Sequence, residues 1–205
     1  MTEASMLGGN ALAKVAGPLK DFAEKLSGEQ GERWLEAFKR FLRKEEPWPK
    51  FPVWKTIKLG TGLKTADDFR KVLKGNGFEV SDWANDILEK SAFIVAIEGI
   101  KVDLVKVTVA ELGFKKGARR DQIYDRAKEL GLELCSPEVG PQLRLQYQNQ
   151  PNSEWVFVGM EPIFDSEGNM VVFVVRCHVE LCLDCAGGNP YRVWNPGSLW
   201  VFRLP

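Results

Sequence analysis

The sequence predicts an α+β fold, a helical N-terminal region followed by a β-rich C-terminal unit. Three observations carry this. Leu19, Phe22, Ala23 and Leu26 fall at i, i+3, i+4 and i+7, and Trp34, Phe38 and Phe41 repeat that spacing, so the first forty-odd residues read as helix. From Cys135 onward the apolar residues gather instead in short runs rich in Val, Phe and Trp, bounded by turn residues. Helical patterns come first and strand patterns last, which favours segregated over alternating layers.

In chain order, Ser27 and Gln30 form a capping-box pair between two N-terminal helices. Pro47, Pro49 and Pro52, interleaved with Trp48, Phe51 and Trp54, stop the second helix and make an extended connector. This places a helical region at 1–46 and an α+β domain at 53–205, with its β-rich part from about 133. A strand is predicted at Trp54 to Leu59, a helix capped by Thr65 and running to Lys74, and a helix capped by Ser81 that carries Trp83, Ile87 and Leu88. Strands at Phe93 to Ile97 and Val102 to Val109 precede a helix over Arg119 to Leu130 that ends at Gly131. Trp155 to Met160, Val171 to Val175, Val179 to Leu183 and Trp200 to Leu204 read as strands, with Asp165 to Asn169 supplying a turn.

The 205 residues suffice for a real core, and 28 basic residues balance 28 acidic ones, so any binding to polyanions must come from a local patch. The first 26 residues lack a basic leader with a long apolar run, and no segment is apolar enough to span a bilayer, so the expected location is the cytoplasm. Cys135, Cys177, Cys182 and Cys185 are too few and too clustered for a disulfide frame; free thiols are expected.

Motifs that carry chemistry are weak. Lys58 to Thr65 lies between a strand and a helix, where a phosphate loop would sit, but Leu63 stands where the glycine before the lysine is needed, and Ile57 where the upstream glycine belongs. Thr65 is explained as an N-cap. Cys177, His178, Cys182 and Cys185 invite a zinc reading, yet Cys177 and His178 adjoin in a strand and point to opposite faces. Cys182 or Cys185 with His178 is the one Cys/His pairing a chain with a single histidine permits, and nothing orients that base. The reading is therefore of no enzyme, no metal and no cofactor. Lys115, Lys116, Arg119 and Arg120 cluster at a helix start, where the macrodipole disfavours cations, and could meet phosphate. A second basic run, Lys39, Arg40, Arg43 and Lys44, is followed at once by Glu45 and Glu46.

The stretches FLRKEEPW from Phe41, WKTIKLGTGLKTADDFRKVLK from Trp54, SDWANDIL from Ser81 and LGLELCSPEVGPQLRLQY from Leu130 resemble a group of uncharacterised proteins of uncultivated, small-genome bacteria. The likeness runs from Ser27 to Pro205 and brings no activity with it. At the C-terminus such proteins have an LWL-like stretch, GNP, a Trp and then WVFV; here Leu181, Leu183, Gly188, Asn189, Pro190, Trp194, Trp200, Val201 and Phe202 fit that frame. Cys182 stands where the frame has an aromatic, and Asp184, Cys185, Gly187, Tyr191, Arg192, Val193, Gly197, Ser198 and Leu199 depart from it.

A fixed frame with altered residues between resembles the target protein of a diversity-generating retroelement, in which reverse transcription errs at template adenines. Codons so rewritten cannot encode Lys, Gln, Glu, Met or Trp, and between Arg176 and Leu199 only Glu180 and Trp194 belong to that set. An ordinary β-rich terminus with free thiols is the alternative. The resemblance implies a C-type-lectin-like fold with a variable face near the C-terminus, although the usual glycine-serine-tryptophan signature is missing. The expectation is thus a non-enzymatic ligand-binding protein contacting a macromolecular partner, a protein, through Cys177, His178, Cys182, Asp184, Cys185, Gly187, Tyr191, Arg192, Val193, Gly197, Ser198 and Leu199. The alternative is nucleic-acid binding or regulation through the basic cluster at 115–120, and Trp34 or Phe41, if outside a core, would mediate assembly.

Overall fold

A computed structural model of the protein describes residues 4–43 and 51–205. The chain divides into two compact units, Met1–Pro49 and Lys50–Pro205. The part of the proline-rich connector at Pro47, Trp48 and Pro49 lies outside the described residues.

The first unit is a helical hairpin of α1 (Ala4–Leu26) and α2 (Gly31–Leu42). Phe22 meets Phe38 with ring centroids 4.7 Å apart, Lys25 lies 4.8 Å over the Trp34 ring, and Ala37 is buried. The expected Ser27–Gln30 capping box does not form. The Ser27 hydroxyl donates instead to the Ala23 carbonyl at 3.3 Å, closing the end of α1, and Gln30 sits at the start of α2 without a side-chain cap.

The second unit is α+β. Its strands are β1 (Lys55–Leu59), β2 (Glu79–Val80), β3 (Ile100–Thr108), β4 (Ala118–Arg119), β5 (Trp155–Val158), β6 (Ile163–Phe164), β7 (Met170–His178), β8 (Glu180–Gly187), β9 (Val193–Trp194) and β10 (Leu199–Arg203). The main sheet runs β1-β3-β10-β5-β7-β8-β2, with β6 beside β7, and β4 and β9 form a separate ribbon. Pairing is antiparallel except for β10 with β5 and β2 with β8. The closing strand β10 is thus central, so Trp200, Val201 and Phe202 are fully buried.

Four helices pack on this sheet: α3 (Ala66–Gly75), α4 (Asp82–Leu88), α5 (Arg120–Glu129) and α6 (Val139–Gln146). Thr65 caps α3 through a reciprocal capping box with Asp68, and Ser81 caps α4 by accepting from the Ala84 N–H. Tyr124 of α5 sets its ring edge-on to Trp200 and Phe202.

Two expectations are corrected. Phe93 to Ile97 is a loop: Phe93 packs on Phe69 and Phe173, the Ala96 N–H is taken up by the Glu138 carboxylate at 2.8 Å, and Ile97 is fully exposed. The segment after Cys135 does not become β at once, because α6 intervenes. Val139 and Leu143 bury it in the core, and a polar row runs beside them. Glu138 accepts from the Gly60 N–H at 2.8 Å as well as from Ala96, Gln142 donates to Thr61 and to Glu138, and Gln146 pairs with both backbone groups of Lys58. This i, i+4, i+8 ladder satisfies backbone groups on and beyond the outer edge of β1, where a naked edge would otherwise invite another strand. Arg144 on the same helix is fully buried, bonds to Gln150 and the Tyr147 carbonyl, and lies 5.2 Å over Phe78.

Candidate functional site

The twelve residues singled out near the C-terminus divide into a buried set and an exposed set. In the β7–β8 hairpin, Cys177 lies opposite Leu181, His178 opposite Glu180, Arg176 opposite Cys182 and Phe173 opposite Cys185. Directly paired residues share a face, so Cys177 and Cys185 lie on one face, and His178 and Cys182 on the other. The three thiols are buried, and so is Asp184, whose carboxylate accepts from Arg176 Nε at 2.6 Å. These four side chains are therefore packed within the protein and offer a partner little surface.

Burial pushes the Cys182 thiol up to about 11, and burial with nearby carboxylates pushes Cys185 up further. Thiols held in the protonated form are poor nucleophiles and poor metal ligands. His178 shares its face with Cys182 but is exposed at the hairpin's end, beside Val179 in a left-handed conformation. Cys182 also forms part of the wall of an open cleft of about 640 Å³ with Arg70, Lys74, Phe78 and Arg176. Arg70 is paired with Asp67 and Glu89, and Arg176 with Asp184, so most of the cleft's positive charge is already matched.

The exposed set lies between β8 and β10, and here the backbone brings two distant segments together. β4 pairs with β9 in the register Ala118↔Trp194 and Arg119↔Val193, and the Arg120 N–H donates to the Arg192 carbonyl at 3.1 Å. The turn after β3 is held to the same stretch by Val109 N–H to Ser198 O and Ala110 N–H to Pro196 O. Gly117 enters the ribbon with φ +91°, and a Cβ there would lie 2.5 Å from the Trp194 carbonyl oxygen, so only glycine fits without displacement.

Three cations of this region lie over aromatic rings, Arg119 on the face of Tyr191 and Val193, and Arg120 and Arg192 on the face of Trp194. Arg119 lies 5.7 Å from the Tyr191 ring, Arg120 4.8 Å from Tyr124 and Arg192 4.6 Å from Trp194. Arg119 is paired with Asp121 at 2.9 Å; Lys115, Lys116, Arg120 and Arg192 form no ion pair among the described residues. Lys115 and Lys116 occupy the turn before β4 and not the first turn of a helix, which corrects the expected placement of the basic cluster. Tyr191 is 70% and Val193 67% exposed, Gly197 is exposed, and Gly187, Ser198 and Leu199 are half-buried.

Behind the Trp194 face of the ribbon is a cluster of packed aromatic rings. Trp194 packs on Phe157 at 4.5 Å and on Trp200 at 4.8 Å, and Trp200 meets Tyr124 at 5.7 Å. Burial raises the Tyr124 phenol, which donates to the Met160 carbonyl at 2.8 Å and stays neutral. Frame residues Trp194 and Trp200 thus build the support, and the residues between them supply the surface.

The sequence singles out the two segments separately and not their pairing, since nothing local predicts that residues 118–119 pair with 193–194. It missed the buried polar residues Glu138 and Arg144, which look like ordinary surface charge in a linear reading. The glycines of the Lys58–Thr65 stretch also have a structural explanation: a Cβ on Gly60, at φ +63°, would lie 2.0 Å from the Glu98 carbonyl oxygen. Comparison of the chain with protein-family models, with curated proteins and with solved structures finds no match.

Proposed function

We propose that the chain is a non-enzymatic ligand-binding protein whose contact surface is the β4–β9 ribbon with its flanking turns, and whose partner is an acidic segment of another protein. One observation carries this reading: the ribbon joins the basic cluster at 115–120 to the exposed residues Tyr191, Arg192 and Val193. Arginine and tyrosine offer large contact area at modest entropic cost, and unpaired cations held over rings are pre-positioned for carboxylates. In this reading Asn189 to Leu199 is the diversified stretch of a retroelement target, on a C-type-lectin-like scaffold. A neighbouring reverse-transcriptase gene and an adenine-rich near-copy of this stretch would support that origin, and their absence would refute it.

Nucleic acid is the second reading, favoured by exposed Tyr191, which a base could stack upon beside Arg119. The patch is small, however, and Asp121 sits within it on Arg119, so a long phosphate backbone would pass over a carboxylate. Fluorescence anisotropy with a labelled Glu/Asp-rich peptide and a labelled single-stranded oligonucleotide separates the two. The peptide is expected to bind more tightly, with affinity falling as salt rises and falling about tenfold or more in R119A/R120A/R192A. Tighter binding of the oligonucleotide favours the second reading, and an unchanged affinity in the triple variant rejects both.

A further inference from the structure

We infer that Asp121 is a latch on the binding ribbon: its carboxylate occupies Arg119 as a partner's carboxylate would, and an acidic partner engages Arg119 by displacing it. This rests on the ribbon being a site for an acidic protein segment, and it adds how that site is held before the partner arrives.

The pairing has the geometry of a ligand contact. Arg119 donates from Nε to one Asp121 oxygen at 3.1 Å and from a terminal nitrogen to the other at 2.9 Å, the two-pronged form in which guanidinium groups hold carboxylates. The Tyr191 ring lies 5.7 Å from the same guanidinium, on the face of the ribbon that carries the exposed Val193. One carboxylate therefore already matches the charge of Arg119. A second, brought by a partner, would meet Asp121 as a like charge, so Arg119 contributes fully to binding only when Asp121 lets go.

Each member of the pair is anchored without the other. The Arg119 N–H donates to the Gln122 side chain at 3.0 Å, and the Arg120 and Asp121 N–H groups donate to the carbonyls of Arg192 and Pro190. These backbone bonds do not involve the ion pair, and release needs only side-chain rotation. Asp121 lies in the first turn of α5, where the macrodipole favours an anion, and its Oδ1 also accepts from the Gln122 N–H at 2.7 Å, a contact it keeps when Arg119 leaves. The pair is open to water, with 46% of the Arg119 and 34% of the Asp121 side chain exposed, and ion pairs so exposed hold weakly.

Fluorescence anisotropy with the labelled Glu/Asp-rich peptide at low salt, on the full chain, tests this. D121N, which keeps an oxygen for the Gln122 N–H, is expected to bind the peptide about two- to fivefold more tightly than the parent, the range an exposed ion pair can supply. D125N removes the same charge from an exposed residue one turn further along α5 that forms no ion pair among the described residues, and is expected to gain less. In the R119A background the effect of D121N is expected to shrink to that of D125N. Binding by D121N that is unchanged or weaker, or a gain of the same size in D125N or in R119A, would overturn the latch while leaving the ribbon as a binding surface. If neither the parent nor D121N binds the peptide, the latch and the reading of the ribbon fall together.

Discussion

At the scale of single residues, the second unit relies on a buried carboxylate that is matched by donors from its surroundings. Glu138 is fully buried with no cation on it, and it is held there by two backbone N–H groups and the Gln142 amide. Replacing it with alanine leaves the Gly60 and Ala96 donors without a partner, at about 1–3 kcal/mol each. E138A is therefore expected to lower the denaturation midpoint more than loss of its methylenes alone would do, while E138Q, which keeps one acceptor, loses less. Equal losses in urea titrations of the two variants would count against the carboxylate as the organising group. Gly117 makes a similar case for the binding ribbon: G117A forces a left-handed φ and a clash with the Trp194 carbonyl, and costs about 1–3 kcal/mol. Because the strain is local, amide exchange should quicken first at Arg120, whose N–H bonds to the Arg192 carbonyl, and later, if at all, in β7.

At the scale of elements, the sequence shows where local chemistry is decisive and hides what depends on distant partners. Thr65 and Ser81 cap α3 and α4 as their positions predict, since a cap is a contact within one turn. α6 escapes a periodicity reading because only Val139 and Leu143 form its apolar stripe, beside a polar row of Glu138, Gln142 and Gln146 that bonds largely to backbone. Phe93 to Ile97 misleads in the opposite way, being rich in strand-forming residues but unpaired. The docking of α4 on the β6–β7 turn also rests on a polar contact: Asp86 accepts from Lys90, from the Ser166 hydroxyl and from the Ser166 N–H. Those three bonds, Lys90's first, hold its carboxyl down at about 2. A carboxyl lowered in the folded state stabilises above its ordinary value near 4, and that contribution is lost as pH falls through about 2. Chemical-shift titration should therefore show the Ser166 amide released with a midpoint near pH 2, and D86N should abolish that transition.

At the scale of the whole molecule, the fold separates two demands that the linear sequence runs together. Within Arg176 to Leu199, the cysteines lie in paired central strands, whereas Tyr191, Arg192, Val193 and Gly197 lie on a surface supported by Trp194 and Trp200. The order β1-β3-β10-β5-β7-β8-β2 could not be read from residue patterns, because it depends on pairings as distant in the chain as Glu79 with Cys182. Yet it decides which residues are free to vary. Surface positions with no close neighbour tolerate exchange within about 0.5 kcal/mol, while truncation of a buried aromatic costs about 3–5 kcal/mol. A library randomised at Tyr191, Arg192, Val193 and Gly197 is accordingly expected to yield mostly folded protein, with melting temperatures near that of the parent. A matched library at Cys177, Cys182, Asp184 and Cys185 is expected to be largely lost from the soluble fraction, with survivors restricted to small or apolar residues at the cysteine positions. Sequencing both libraries after selection for solubility gives the comparison. Equal survival would mean that the buried hairpin is as permissive as the exposed loop, and the division of the segment into support and surface would have to be abandoned.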